Sequence, residues 1–315
     1  MMLIDLHCDT ILECHLSGGK RELYSSDLCV DIQKMKKAGT LAQVFALYVD
    51  MKGPNDPMQN CLDMLDLFYN ELDKNKAVVA FAACYEDIEK NKREGKMSAM
   101  LAIEEGAAIH GSIANLRNFY RLGVRLITLL WNYPNQIGYP NFGFVNKDKG
   151  LTEFGMEVVA EMNRLGMLID VSHLSDGGFY DVAKLSSKPF VASHSNARAC
   201  TMHERNLTDD MIRILAEKGG IMGLNIESFF LNEGEPTTVS TVGDMVRHLK
   251  HIRNIGGIDV MAIGTDFDGT MHSSEIAHIG EMDKLLSALK QNGFSEEEID
   301  KIYYKNALRV IKDVL

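Results

Sequence analysis

The chain has 315 residues, 46% hydrophobic and 24% charged, which is ordinary for a globular protein and excludes a disordered or a fibrous chain. With 33 basic against 44 acidic residues the formal net charge is -11, and no basic cluster is available to neutralise phosphate or to dock on an anionic bilayer. Neither nucleic acid nor a membrane is an expected partner.

In chain order, eight short apolar runs stand out: LIDLH (3–7), AQVFALYV (42–49), AMLAIE (99–104), VRLITLLW (124–131), MLIDVSH (167–173), PFVASH (189–194), GIMGLN (220–225) and VMAIGTDF (260–267). Each is nearly continuous in its apolar residues, as expected of strands covered on both faces in a parallel sheet. Amphipathic stretches at 151–165, 209–218 and 242–255 read as intervening helices, with Thr152 and Thr208 as N-terminal caps and Gly166 and Gly219 as stops. Eight such units over this length predict an α/β fold of the (β/α)8 TIM-barrel type. The early glycine fingerprint of an open dinucleotide-binding sheet is absent. The run AVVAFAAC (77–84) is either an extra strand or a buried part of the connection before the third strand. With no proline- or glycine-rich linker, residues 1–315 are expected to form a single domain.

Six cysteines (Cys8, Cys14, Cys29, Cys61, Cys84 and Cys200) form no C-x-x-C pair, so free thiols in a reducing compartment are expected. The N-terminal MMLIDLHCDT lacks the basic and apolar regions of a signal peptide, and no apolar run approaches the roughly 20 residues that span a bilayer. The expected location is the cytoplasm.

In a barrel of this kind the active site is built from the C-terminal ends of the strands. The first strand ends in His7-Cys8-Asp9, the third in Glu104-Glu105-Gly106, the fifth in Ser172-His173, the sixth in Ser193-His194 and the eighth in Asp266-Phe267-Asp268. Alternation puts His7 and Asp9 on one side of the chain. Ionisable groups at the ends of apolar strands are costly unless paired or bound to metal. Imidazole with carboxylate suits zinc and its first-row neighbours, whereas calcium would not favour three histidines. His7, Asp9, Glu104, His173 and His194 suffice for two metals if Glu104 bridges them, and Asp266 is then the natural proton carrier. Singly, H-x-D or S-H at a strand end is as well read as a structural pair; it is the set that points to metal. His15, His110, His203, His248, His251, His272 and His278 read as solvated or hydrogen-bonded side chains, Glu105 as a helix cap, and Asp268-Gly269 as a turn.

The segments D-L-H-C-D-T (5–10), A-I-E-E-G (102–106), I-D-V-S-H-L-S (169–175), S-H-S-N-A-R (193–198), E-R-N-L-T-D-D (204–210) and I-G-T-D-F-D-G (263–269), with N-A-L-R-V (306–310), resemble the membrane (renal-type) dipeptidases, peptidase family M19. The resemblance implies an amidohydrolase-type barrel with two Zn2+ per chain that hydrolyses dipeptides, including those with a D-configured C-terminal residue. It implies that His7 and Asp9 bind one zinc, His173 and His194 the other, and that Glu104 bridges them. Asp266 would activate the bridging hydroxide and protonate the leaving amine, and Arg205 would grip the substrate carboxylate, a planar cation being suited to that task. One departure is visible: where animal members carry a substrate-contacting histidine, this chain has Trp131, followed by Asn132. Trp131 can only donate a hydrogen bond, so Trp131 or Asn132 is expected to contact substrate in its place. Ligand type does not separate zinc from manganese, cobalt or iron. Family members are often dimers, so a homodimer is possible. The alternatives are an amidohydrolase-type enzyme acting on an N-acyl amino acid, a lactone or a cyclic amide, which would not need Arg205, and a non-catalytic metal-binding barrel.

Overall fold

The computed structural model describes residues 2–233, 239–270 and 273–315. Nine parallel strands form its sheet: β1 (Leu3–Cys8), β2 (Thr40–Tyr48), β3 (Val79–Phe81), β4 (Met97–Glu104), β5 (Val124–Thr128), β6 (Leu168–Asp170), β7 (Val191–Ala192), β8 (Ile221–Leu224) and β9 (Met261–Ile263). β1 pairs with both β2 and β9, and β2 pairs with β4, so eight strands close into a barrel in the order β1-β2-β4-β5-β6-β7-β8-β9. This is the (β/α)8 barrel expected from the run of apolar segments. The ambiguous segment 77–84 resolves as β3, an extra strand. It pairs with Met97–Ala99 of β4, on the edge that β5 takes over from Leu101 onward.

The helical expectations hold where capping chemistry marks them. Thr152 accepts a hydrogen bond from Gly155 N–H at the start of helix Glu153–Leu165, and Gly166 ends it at φ 71. Thr208 does the same for Met211 N–H at the start of Asp209–Glu217. The barrel interior is filled by Ile4, Leu6, Val44, Met100, Leu126, Leu168, Val191 and Ile221. Val310, Ile311 and Val314 of the C-terminal helix Asn306–Val314 pack against this layer and close the barrel floor. Asn306 ties that helix to the Ile258 and Met261 carbonyls, both at 2.8 Å. All six cysteines are unpaired. Among the described residues no helix is long and apolar enough to cross a membrane.

Six of the eight barrel strands end before their apolar runs do; β4 ends with its run and β1 one residue beyond. The runs to His173, His194 and Phe267 pair only as far as Asp170, Ala192 and Ile263. The remaining residues leave the ladder and turn into the barrel mouth, with His173 at φ 68 and Asp266 at φ 63. Non-glycine residues in that region are uncommon and cluster at functional sites.

Glycine lets the main chains close up beneath the mouth. A Cβ on Gly264 would lie 1.7 Å from the Ser193 carbonyl oxygen, and one on Gly223 2.0 Å from the same atom. Backbone cannot give way as a flexible side chain can. Gly264→Ala is therefore expected to destabilise the fold by about 3 kcal/mol or more, read as a lowered urea midpoint at unchanged m-value. A midpoint within error of the parent would show that this contact is slack.

Candidate metal centre

At the barrel mouth the side chains of four strand ends converge on the carboxylate of Glu104. His7 Nε2 lies 3.1 Å from Glu104 Oε2 and 3.5 Å from Asp9 Oδ2. His173 Nε2 lies 3.1 Å from Glu104 Oε1, and His194 Nε2 lies 3.6 Å from the same oxygen. Asp266 Oδ1 stands 3.7 Å from His7 Nε2. The ligating atoms fall into the sets His7–Asp9–Glu104, Glu104–His173–His194 and His7–His194–Asp266, each within 4.8 Å. Glu104 belongs to the first two sets and lies between them. A register shift in β1 between Asp5 and Cys8 helps bring His7 and Asp9 to the mouth, while Ile4 and Leu6 stay in the interior layer.

Neighbouring groups settle which nitrogen of each imidazole faces the centre. Asn132 Oδ1 is 3.0 Å from His173 Nδ1, and an amide oxygen can only accept, so Nδ1 carries the proton. Ser193 Oγ is 2.7 Å from His194 Nδ1 and donates its own proton to Asp170 Oδ2, so that Nδ1 is protonated too. Asp170 also accepts from Thr128 Oγ1 at 2.6 Å and from the amides of Ser172 and Ser193 at 3.0 and 2.8 Å. Both Nε2 lone pairs, 3.2 Å apart, are thereby aimed at a carboxylate oxygen. Lone pairs facing lone pairs repel unless a cation sits among them, and imidazoles fixed through the distal nitrogen are characteristic of metal ligands. His7 Nδ1, His7 Nε2 and Asp9 Oδ1 are also buried without a hydrogen-bond partner. The donor set fits first-row divalent metal.

The electrostatics agree. Burial pushes His173 down to about 4 and, helped by the positive charges of His7 and Arg205, holds His194 well below its ordinary value. Burial acts on His7 in the same sense, but the facing Glu104 and Asp9 outweigh it and raise His7 well above the usual imidazole range. The carboxylates thus draw positive charge to this point. Burial raises Asp9 to about 6 and Asp266 to about 7, the latter aided by the negative charges of Asp9 and Glu104. Glu104 goes the other way: burial opposes its charge, yet the positive charge of His7 holds it well below the carboxylate range. Asn225 Nδ2 donates to Asp266 Oδ2 at 2.8 Å and fixes that carboxyl.

The centre opens into a cavity of about 500 Å3. Its walls include Tyr48, Trp131, Phe142, His203, Arg205 and Phe230. Arg205 is only 6% exposed, donates Nη2 to the His194 carbonyl at 3.2 Å, and has Nε and Nη1 buried without partners. Its guanidinium lies 5.4 Å from the centre of the Phe230 ring, against which His203 also packs. Sequence reading missed Tyr48, His203 and the phenylalanines; only the position of Tyr48 at the end of a strand could have drawn attention to it. His248 is buried and bridges Ala197 N–H and the Leu231 carbonyl, and His272 lies outside the described residues. Glu105 turns away from the centre: at φ 87 it caps the short helix Gly106–Ile109 and accepts from Trp131 N–H at 2.9 Å. Asp268 holds the turn expected of it, accepting from Thr10 Oγ1 and from Cys29 N–H.

The family model described as membrane dipeptidase (peptidase family M19) matches residues 1–315. The chain belongs to this family. A metallo peptidase of Rhodobacter sphaeroides, solved with a phosphinate mimic of the dipeptide L-Ala-D-Ala, superposes with a TM-score of 0.93 at 27% identity over 100% of this chain and 99% of its own. The metallo peptidase dipeptidase AC, of family M19, gives 0.92 at 29% identity over 100% and 98%. An uncharacterized protein of Klebsiella pneumoniae from the pqqA 5' region is 35% identical over 80% of this chain and 97% of its own. The adjacent ligand sets at the barrel mouth are consistent with a binuclear metal site, as in the M19 dipeptidases.

Proposed function

We propose that this M19 chain hydrolyses dipeptides, with His7, Asp9 and Glu104 holding one metal ion and Glu104, His173 and His194 a second. Zinc is the proposed ion, and when bound the pair would polarise a peptide carbonyl and acidify water. The observation that carries the reading is a buried arginine with two free nitrogens beside a centre of converging ligands. A planar, charged donor fork facing a cavity is matched by a carboxylate. Arg205 thus selects a substrate whose free carboxylate lies one residue from the bond to be cut, which disfavours longer peptides. Asp266, fixed by Asn225, takes the proton of the attacking water and delivers it to the departing amine, a shuttle suited to a carboxyl whose burial raises it toward neutrality. The Rhodobacter relative, solved with a mimic of L-Ala-D-Ala, supports a D-configured C-terminal residue among the substrates. Unpaired cysteines support the cytoplasm as its place of work.

The test is hydrolysis of a panel of L-Xaa-L-Xaa and L-Xaa-D-Xaa dipeptides by protein of measured metal content. Cleavage at about two metals per chain is expected; two metals with no cleavage of any member would sink the dipeptidase reading.

Loading should also release protons unequally. His173 and His194 are neutral at pH 7 and lose nothing on binding, whereas His7 is held protonated and must give up a proton. Metal affinity at the His7 set is therefore expected to rise about tenfold per pH unit from about pH 6 up to the raised pKa of His7, and more steeply below about 6, where Asp9 must give up a proton as well. The His173–His194 set should be nearly indifferent to pH down to about 4. Calorimetric titration in two buffers of different ionisation enthalpy checks this. Proton release shared equally between the two binding events would contradict it.

A further inference from the structure

Going round the closed barrel, β2 stands four strands from β7, and β4 four strands from β8, so each pair faces across the mouth. Arg205 and His203 lie in the connection after β7, and Phe230 follows β8. Tyr48 ends β2, Glu104 ends β4, and Trp131 follows β5. If Arg205 holds the carboxylate and the cut bond lies over Glu104, as the dipeptidase reading on which this rests requires, the N-terminal residue of the substrate must extend toward Tyr48 and Trp131.

That wall is aromatic and already rigid. The rings of Tyr48 and Trp131 meet edge to face, with centroids 5.0 Å apart, and both line the cavity. Tyr133 also packs edge to face on Trp131 at 5.7 Å, with Lys52 Nζ 3.8 Å from the centre of the Tyr133 ring. The Trp131 main chain is pinned by Glu105. Leu12 extends the apolar surface on the β1 side. An aromatic wall of this kind gains from covering apolar area, and being preorganised it loses little entropy on doing so.

We infer that the Tyr48–Trp131 pair is the surface against which the N-terminal side chain of the dipeptide packs, so that this chain selects dipeptides with a large apolar or aromatic N-terminal residue. Trp131 is on this account a specificity-determining residue and takes no part in proton transfer.

The experiment uses the metal-loaded protein and two dipeptide series. One varies the N-terminal residue through Gly, Ala, Leu and Phe at a fixed C-terminal residue; the other varies the C-terminal residue at a fixed N-terminal one. Wild-type kcat/KM is expected to climb by about tenfold or more from Gly to Leu or Phe in the first series. Trp131→Ala should flatten that climb and leave the second series with its original slope. Trp131→Phe, which keeps an aromatic face and the main-chain bond to Glu105, should retain most of it, and it serves if Trp131→Ala fails to fold. A flat first series in the wild type, or a Trp131→Ala protein slowed equally on both series, overturns the inference. Absence of cleavage in both series by protein holding its metals would instead overturn the dipeptidase reading beneath it.

Discussion

Asp266→Asn is expected to lower kcat by about 10²–10⁴-fold while leaving metal content and KM nearly unchanged. The substitution suits this purpose because it changes little else. Asp266 sits at φ 63, a region that asparagine tolerates better than most residues. Its partner Asn225 donates through Nδ2, and an asparagine at 266 can still turn its amide oxygen to that donor. What is lost is the ability to take up a proton from water and hand it to the amine. Measurement of kcat beside metal analysis decides the matter. A variant that loses metal in proportion to activity would make Asp266 a ligand, a role its place in the set with His7 and His194 would allow.

Arg205→Met should move activity and stability in opposite directions. Removal of the partner of a desolvated carboxylate costs about 2–5 kcal/mol, so kcat/KM for dipeptides should fall by roughly 30- to several thousand-fold, mostly through KM. Dipeptide amides, which offer no carboxylate, should be hydrolysed equally poorly by both proteins. The fold itself gives up little: Arg205 makes one hydrogen bond of 3.2 Å, and burial outweighs the attraction of Asp266 and Glu104 and disfavours its charge. A methionine leaves no unpaired donor behind, and stability is expected to rise by about 1–3 kcal/mol. Thermal unfolding of the two proteins provides the check. A destabilised Arg205→Met protein with unaltered KM would make the arginine a structural residue.

The barrel was legible in the sequence because strands buried on both faces leave unbroken apolar runs, and because Thr152, Thr208 and Gly166 punctuate helices by local chemistry. The residues that meet around Glu104 were legible for a related reason: ionisable side chains at the ends of apolar runs stand out against them. The aromatic cavity walls other than Trp131 were not. Phe142, Phe229 and Phe230 lie in connections without periodicity, and their convergence depends on the path of loops around the barrel. Asp170 escaped notice as well, because a carboxylate inside the run MLIDVSH carries no sign of the four donors it will meet. Asn132, expected at the substrate, does line the cavity, and its amide oxygen also lies on His173, a contact across 41 residues that composition does not reveal. Six strands, though not β1 or β4, end earlier than their apolar runs, because residues that turn into the mouth leave the ladder while keeping the apolar neighbours of a strand.

Asp170 joins three strands through side chains that make sense only together: Thr128 on β5, the carboxylate itself on β6, and Ser193 just beyond β7. Exchange of one member alone strands a buried donor or acceptor of the others. Chimaeras assembled from this chain and a relative should therefore tolerate crossover points outside residues 128–193 far better than within them, unless both parents carry the same trio. The span is a unit of inheritance, although two helices and more than sixty positions separate its ends.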